Sequence, residues 1–223
     1  MIVSAVIIAS VVLIVFDSIK KSKKERFHSF YDNRYSYKYP VKGVDVSHHN
    51  GNVKWELLRN DGVSFAYIKS TEGITHKDKA YKKNYELAKL TDIKVGTFHF
   101  YTFGLDGVMQ AEHFIRHSLV ETSDLIPAID VEHSPVNKYS NDKKYIQKVI
   151  DELIKLEKEL HNYYGVRPVI YTNRDCYKLY IKDEFPQNLI WMSDLHNEPD
   201  TNDFNWIIWQ FSHTGNFPGI TGD

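Results

Sequence analysis

The chain has 223 residues, 42% of them hydrophobic and 14% aromatic, enough to bury a sizeable core, and beyond its first 40 residues it has the length of one α/β domain. Residues 1–40 hold seven Lys and Arg against three Asp and Glu, so residues 41–223 carry 21 basic and 26 acidic groups, a net charge of −5 that argues against nucleic acid as a partner. The single cysteine, Cys176, excludes an internal disulfide and, with no histidine beside it, reads as a packing residue.

Residues 1–16 are an unbroken run of apolar and small residues, followed by Asp17 and the basic cluster Lys20, Lys21, Lys23, Lys24 and Arg26. Residues 1–18 therefore read as an export or membrane-anchoring segment, and the lack of an Ala-x-Ala-like site after the run favours an uncleaved anchor. The expected location is extracytoplasmic, either membrane-anchored or secreted. The charge pattern conflicts with this, because a basic cluster after the run places the following domain inside by the positive-inside rule. Residues 19–40, basic and carrying Tyr31, Tyr35, Tyr37 and Tyr39, read as a linker. The catalytic domain is expected over 41–223.

In chain order the hydrophobic periodicity predicts strands over 41–47 and 63–70, with a short helix over 53–60 between them. A helix over 78–90 leads to a strand over 95–101, and a helix over 108–119 leads to a strand over 125–131. Asn141 is placed as the cap of the longest helix, whose stripe of Ile146, Val149, Ile150, Leu153, Leu156 and Leu160 ends at Gly165. Strands follow over 168–172, 189–193 and 206–211. Seven strands, each hydrophobic along its length and mostly separated by helices, imply a parallel sheet covered on both faces. The first strand ends in Asp-Val-Ser-His-His-Asn without phosphate-cradling glycines, so a closed barrel fits better than a doubly wound sheet.

In a barrel the chemistry lies at the C-terminal strand ends. Here those ends carry Asp45 and Ser47, Lys69 and Glu72, His99 and Tyr101, Asp130 and Glu132, Tyr171, Trp191 and Asp194, and Trp209 with Gln210. Asp130 and Glu132 stand out. On a strand an i, i+2 pair shares one face with Cα atoms about 6–7 Å apart. Two carboxylates that close cannot both ionise freely, and one proton donor beside one anion is what glycoside hydrolysis needs. The bland reading is a strand that stops at Ile129 and two solvated loop acids; the polar ends of the other strands turn the pair into part of a cleft. Glu72, His99, Tyr101, Tyr171, Trp191, Trp209 and Gln210 are expected to contact substrate there. Structural alternatives stand beside these readings: His99 as a satisfied core histidine, Lys69 with Glu72 as an ion pair closing the barrel floor, and Tyr171, Trp191 and Trp209 as core aromatics. Adjacent His48 and His49 cannot face one way on a strand and no His-x-His or His-Glu-x-x-His pattern occurs, so neither metal nor other cofactor is expected.

These residues carry a resemblance. Gly43-Val44-Asp45-Val46-Ser47, Phe65-Ala66-Tyr67-Ile68-Lys69-Ser70-Thr71-Glu72-Gly73, Gly96-Thr97-Phe98-His99-Phe100-Tyr101, Pro127-Ala128-Ile129-Asp130-Val131-Glu132, Pro168-Val169-Ile170-Tyr171-Thr172, Leu189-Ile190-Trp191 and Trp209-Gln210-Phe211 resemble, in order, the family-25 glycoside hydrolases, the Chalaropsis-type lysozymes that cut peptidoglycan. The resemblance implies an irregular TIM-like (β/α) barrel and hydrolysis of the β-1,4 bond after N-acetylmuramic acid. It implies Glu132 as proton donor, Asp130 as partner carboxylate, Asp45 as a further cleft acid, and Tyr171 and Trp191 in the sugar-binding wall. It also implies retention, with Asp130 orienting the N-acetyl group of the substrate as nucleophile. Family members continue past Gly222-Asp223 into a last strand with another cleft aspartate, so the expectation here is a barrel with an open seam, acting as a monomer on peptidoglycan glycan strands. The alternatives are a catalytically weakened peptidoglycan-binding module and a metal-dependent hydrolase on the same barrel.

Overall fold

The computed structural model describes residues 38–201, 205–213, 215 and 217–220. The apolar run at the N-terminus and its basic cluster lie outside the described residues. Among the described residues no helix is long and apolar enough to cross a membrane. The chain divides after Pro40, and all strands and helices described here belong to the second unit, Val41–Asp223.

Strands β1 (Lys42–Val46), β2 (Val63–Glu72), β3 (His76–Lys77), β4 (Lys94–Phe100), β5 (Ala128–Val131), β6 (Val169–Asn173), β7 (Ile190–Ser193) and β8 (Trp206–Gln210) form one sheet. Its order is β1-β2-β4-β5-β6-β7-β8 with every neighbouring pair parallel. Two-residue β3, absent from the sequence expectation, folds back antiparallel on the end of β2. Helices α1 (Trp55–Asn60), α2 (Tyr81–Lys89), α3 (Gly107–His117) and α4 (Lys143–Tyr164) fill the crossovers that parallel strands require. Between β6 and β7 a short turn of helix, α5 (Arg174–Cys176), continues as a π-helical stretch over Tyr177–Ile181. The cap of α4 is Asp142 rather than Asn141: its carboxylate accepts the N–H groups of Lys144 and Tyr145 at 2.7 and 3.4 Å. Gly165 ends α4 in the left-handed conformation at φ 71°, donating to His161 O.

The period of two along each strand sorts side chains onto two faces. Outward, Val44, Val46, Ala66, Ile68 and Val95 pack on Trp55, Leu58, Tyr81, Tyr85 and Ala88. Ile129, Val131, Ile170, Ile190 and Met192 pack on α3 and α4 through Phe114, Val149, Leu153, Leu156 and Leu160. Inward, Tyr67, Phe98, Ala128, Val169 and Trp191 fill the concave side. Their size is matched by glycine on neighbouring strands. A Cβ at Gly43 would sit 2.2 Å from Cζ of Phe65, and one at Gly96 would sit 2.4 Å from Cε1 of Tyr67. Tyr67 cannot swing freely, because its hydroxyl donates to Ile126 O at 2.9 Å. Gly96→Ala is thus expected to cost about 1–3 kcal/mol by overpacking, and to lower the melting temperature by roughly 2–4 °C per kcal/mol in a domain of this size. Thermal unfolding checks this, and an unchanged transition would mean the ring stack relaxes without strain.

The sheet curls far enough to bring its first and last strands together across the mouth. Gln210 on β8 donates from Nε2 to Asp45 Oδ2 on β1 at 2.9 Å. Among the described residues no backbone pairing joins β8 to β1, so the architecture is a curled (β/α) arc of seven parallel strands with one open edge. Residues 217–220 run back to the β1 side. Gly219 O accepts the N–H of Lys54 at 2.8 Å, and Phe217 and Ile220 pack on the core under α1 and α2.

Candidate active site

Strand β5 is short because Pro127 has no N–H to give to a ladder, so regular pairing begins at Ala128, three residues later than the expected 125. Ala128 joins the inner cluster while Ile129 and Val131 join the outer one. Alternation thus turns Asp130 and, one residue past the strand, Glu132 toward the concave mouth. Asp130 is buried, and its Oδ1 has no hydrogen-bond partner. Burial raises the proton affinity of Asp130 well above the ordinary carboxylate value, reinforced by the charge of Glu132 and then of Asp45 and Glu72, with Lys69 opposing. Glu132 is likewise raised, first by burial and then by Asp45, again against Lys69. The pair therefore holds a proton at pH values where free carboxylic acids have lost theirs.

Lys69 is the cation that limits this rise. Its Nζ donates to Glu72 Oε2 at 2.7 Å and lies 4.6 Å from the centre of the Phe100 ring. The sequence leaves this ion pair undecided between barrel floor and cleft. It forms at the C-terminal end of β2, and both members act electrostatically on Asp130.

A second cluster holds Asp45. Tyr171 Oη and Ser193 Oγ donate to Gln210 Oε1 at 2.8 and 2.9 Å, and Gln210 Nε2 donates to Asp45. Burial raises the proton affinity of Asp45 and the bond from Gln210 lowers it. Behind the cluster, Tyr171 stands edge-on to Trp191 and Trp191 packs against Tyr67, both with ring centres 4.9 Å apart. Burial and the neighbouring charges of Asp130 and Glu132 raise the Tyr171 phenol, which stays neutral and donating.

Four expected substrate contacts are placed differently. His99 is 0% exposed on the outer face, where it meets Thr71 Oγ1 through Nδ1 at 2.8 Å, Gln110 Oε1 through Nε2 at 3.2 Å and the edge of Phe114. Gln110 Oε1 also accepts the N–H of Thr102, so the His99 proton is assigned to Nε2. Burial lowers its proton affinity to about 3, which makes it a neutral core histidine. Tyr101, also 0% exposed, donates to Val149 O at 2.8 Å beneath α4. Both lie on the helix side because they alternate with inward Phe98 and Phe100. Trp191 is only 4% exposed, so it supports the wall rather than offering an open face for a sugar ring. Trp209 alternates with inward Gln210 and donates from Nε1 to Asp194 O at 2.8 Å. Asp45, Glu72, Asp130, Glu132, Tyr171 and Gln210 are brought together at one mouth.

Sequence reasoning missed two residues of this mouth. Ser193 is an ordinary strand-end serine until Gln210 is placed beside it. Buried Asn137 donates to Tyr101 O and Glu132 O at 2.7 and 3.1 Å and accepts the N–H of Phe103 at 2.8 Å. It pins the backbone of Glu132 to the chain after β4; an asparagine in a polar loop carries no sequence signal for that task. Among the described residues no group of three or more His, Cys, Asp or Glu side chains is arranged to hold a metal ion.

The family model described as glycosyl hydrolases family 25 matches residues 44–220. The chain is similar to the autolytic lysozyme of Clostridium acetobutylicum, 29% identical over 182 residues that cover 82% of this chain and 53% of that one, so it spans about half the length of that relative. Lysozyme M1 of Streptomyces globisporus is 29% identical over 199 residues, covering 82% of this chain and 65% of its own. Among solved structures, a family 25 glycosyl hydrolase from Bacillus anthracis matches with a TM-score of 0.73 at 35% identity, over 82% of this chain and 83% of that one.

Proposed function

Since the chain belongs to glycosyl hydrolases family 25 and is a glycoside hydrolase, we propose that it is a lysozyme cutting the β-1,4 bond between N-acetylmuramic acid and N-acetylglucosamine in peptidoglycan. The observation that carries this reading is the pair of carboxyls at the mouth, buried Asp130 and half-buried Glu132, both with proton affinities raised above the usual carboxylate range. Glu132 gives that proton to the glycosidic oxygen as the bond breaks, and the leaving sugar departs as a neutral alcohol. Positive charge develops on the remaining sugar ring, and Asp130, freed of the shared proton, stabilises it as an anion in a site screened from water. In the retaining course implied by the family, Asp130 orients the N-acetyl group of the substrate as nucleophile. Water then adds, losing a proton to Glu132 and regenerating the acid. Asp45 lines the same mouth, and its charge raises the proton affinity of Glu132.

Such a substrate lies outside the cytoplasmic membrane, which agrees with an export or anchoring role for residues 1–18. Release of reducing sugar from purified peptidoglycan, with and without a chelator, tests the whole reading. Release that ignores the chelator is expected. Binding without release would instead make the chain a peptidoglycan-binding module, and release abolished by the chelator would make it metal-dependent.

A further inference from the structure

The sequence offers Gln210 as a substrate contact, yet its hydrogen bonds in the structure are directed elsewhere. Two hydroxyls, from Tyr171 on β6 and Ser193 on β7, donate to Oε1. A carboxamide oxygen accepts and its nitrogen donates, so these bonds settle which way the amide points and turn Nε2 to Asp45. The hydroxyl donors are themselves held: Tyr171 rests on Trp191, Trp191 on Tyr67, and Tyr67 is tied to Ile126 O. Both ends of the amide are thus committed within the protein.

We propose that Gln210 is a positioning residue for the proton donor: its amide, locked by Tyr171 and Ser193, fixes Asp45 as a hydrogen-bond acceptor in the mouth that Glu132 shares. The inference rests on the reading of Glu132 as donor. Burial drives Asp45 toward its neutral form, and the bond from Gln210 is the first influence opposing it. Asp45 is the leading charge raising Glu132. The other titratable groups bearing on the two acids are Lys69 and Glu72 from β2, Asp130 from β5, Tyr171 from β6 and Cys176 from α5. Phe100, Ser193 and Gln210 bring no charge from β4, β7 and β8. Losing the Gln210 donor therefore lets half-buried Asp45 take up a proton at higher pH. A neutral Asp45 no longer raises Glu132, so Glu132 ionises at lower pH.

The test compares the full chain with Gln210→Leu and Gln210→Glu. It uses pH–rate profiles on purified peptidoglycan and a 13C NMR titration of the Glu132 carboxyl, identified by its absence in Glu132→Gln. In Gln210→Leu the alkaline limb and the NMR midpoint should both fall by about one pH unit. Gln210→Glu keeps the shape and adds a carboxylate that shares a proton with Asp45, so its midpoint should stay at or above that of the parent. Unchanged midpoints in Gln210→Leu, with thermal unfolding showing a folded protein, would overturn the proposal. So would a raised KM at parental kcat and midpoint, which is the mark of a substrate contact. An active Glu132→Gln enzyme would instead remove the donor assignment itself, an outcome separate from any shift caused by Gln210.

Discussion

Glu132→Gln should lose about 10²–10⁴-fold in turnover on peptidoglycan while still binding glycan strands. Gln keeps the length and planarity of the side chain and removes the transferable proton. Nothing else at the mouth replaces it well. In the proposed mechanism Asp130 has to meet the developing charge as an anion, the Tyr171 phenol is held too high to give up a proton usefully, and His99 lies on the far face of the sheet with a proton affinity lowered to about 3. The variant should also fold at least as well as the parent at neutral pH, because it removes a half-buried ionisable group whose affinity for protons is raised in the folded state. Turnover of both proteins at matched saturation, with binding measured by cosedimentation on insoluble peptidoglycan, checks the result. Near-parental turnover would sink the assignment of Glu132 as donor.

The mouth is legible in the strand ends, since alternation alone decides which side chains point inward once the strands are placed. Asp45, Asp130, Glu132, Tyr171 and Gln210 follow that rule, whereas Glu72 reaches the mouth only because the register of β2 shifts between Lys69 and Thr71. His99 and Tyr101 follow the rule too. Polar and aromatic residues at a barrel rim suggest function and group these two with the mouth, whereas their register with Phe98 and Phe100 puts them under the helices. Local rules also locate the helices, except that Asp142 outcompetes Asn141 as a cap by one residue and the π-helical stretch after β6 gives no periodic signal. What stays hidden is everything that depends on contacts distant in sequence. The bond from Gln210 to Asp45 spans 165 positions, and the pin from Asn137 to Tyr101 joins two loops. Neither has a local pattern. Gly43 and Gly96 belong to the same class, because their role is to yield space to rings on β2.

Asp130→Asn should reduce turnover by roughly 10²–10³-fold, the usual loss when one group aimed at developing charge is removed. Two pH effects should accompany it. First, the repulsion between the two carboxylates, which makes the pair hold its last proton, is lost, so the proton left on Glu132 is released at lower pH and the alkaline limb of the rate profile moves down. Second, the dependence of stability on pH should flatten. In the parent, folded Asp130 keeps its proton at pH values where the unfolded chain, with an ordinary value of 3.8, has released it. The folded state then binds more protons than the unfolded one, so stability falls as pH rises from that ordinary range through the raised folded value. Asn cannot titrate, and the share of this fall due to Asp130 disappears, leaving the smaller contributions of Glu132 and Asp45. Urea unfolding across the acid to neutral range measures the slope, and the rate profile on peptidoglycan measures the limb. An unmoved limb would show that the two carboxyls titrate independently, and a parental slope would show that Asp130 is ionised in the folded protein throughout.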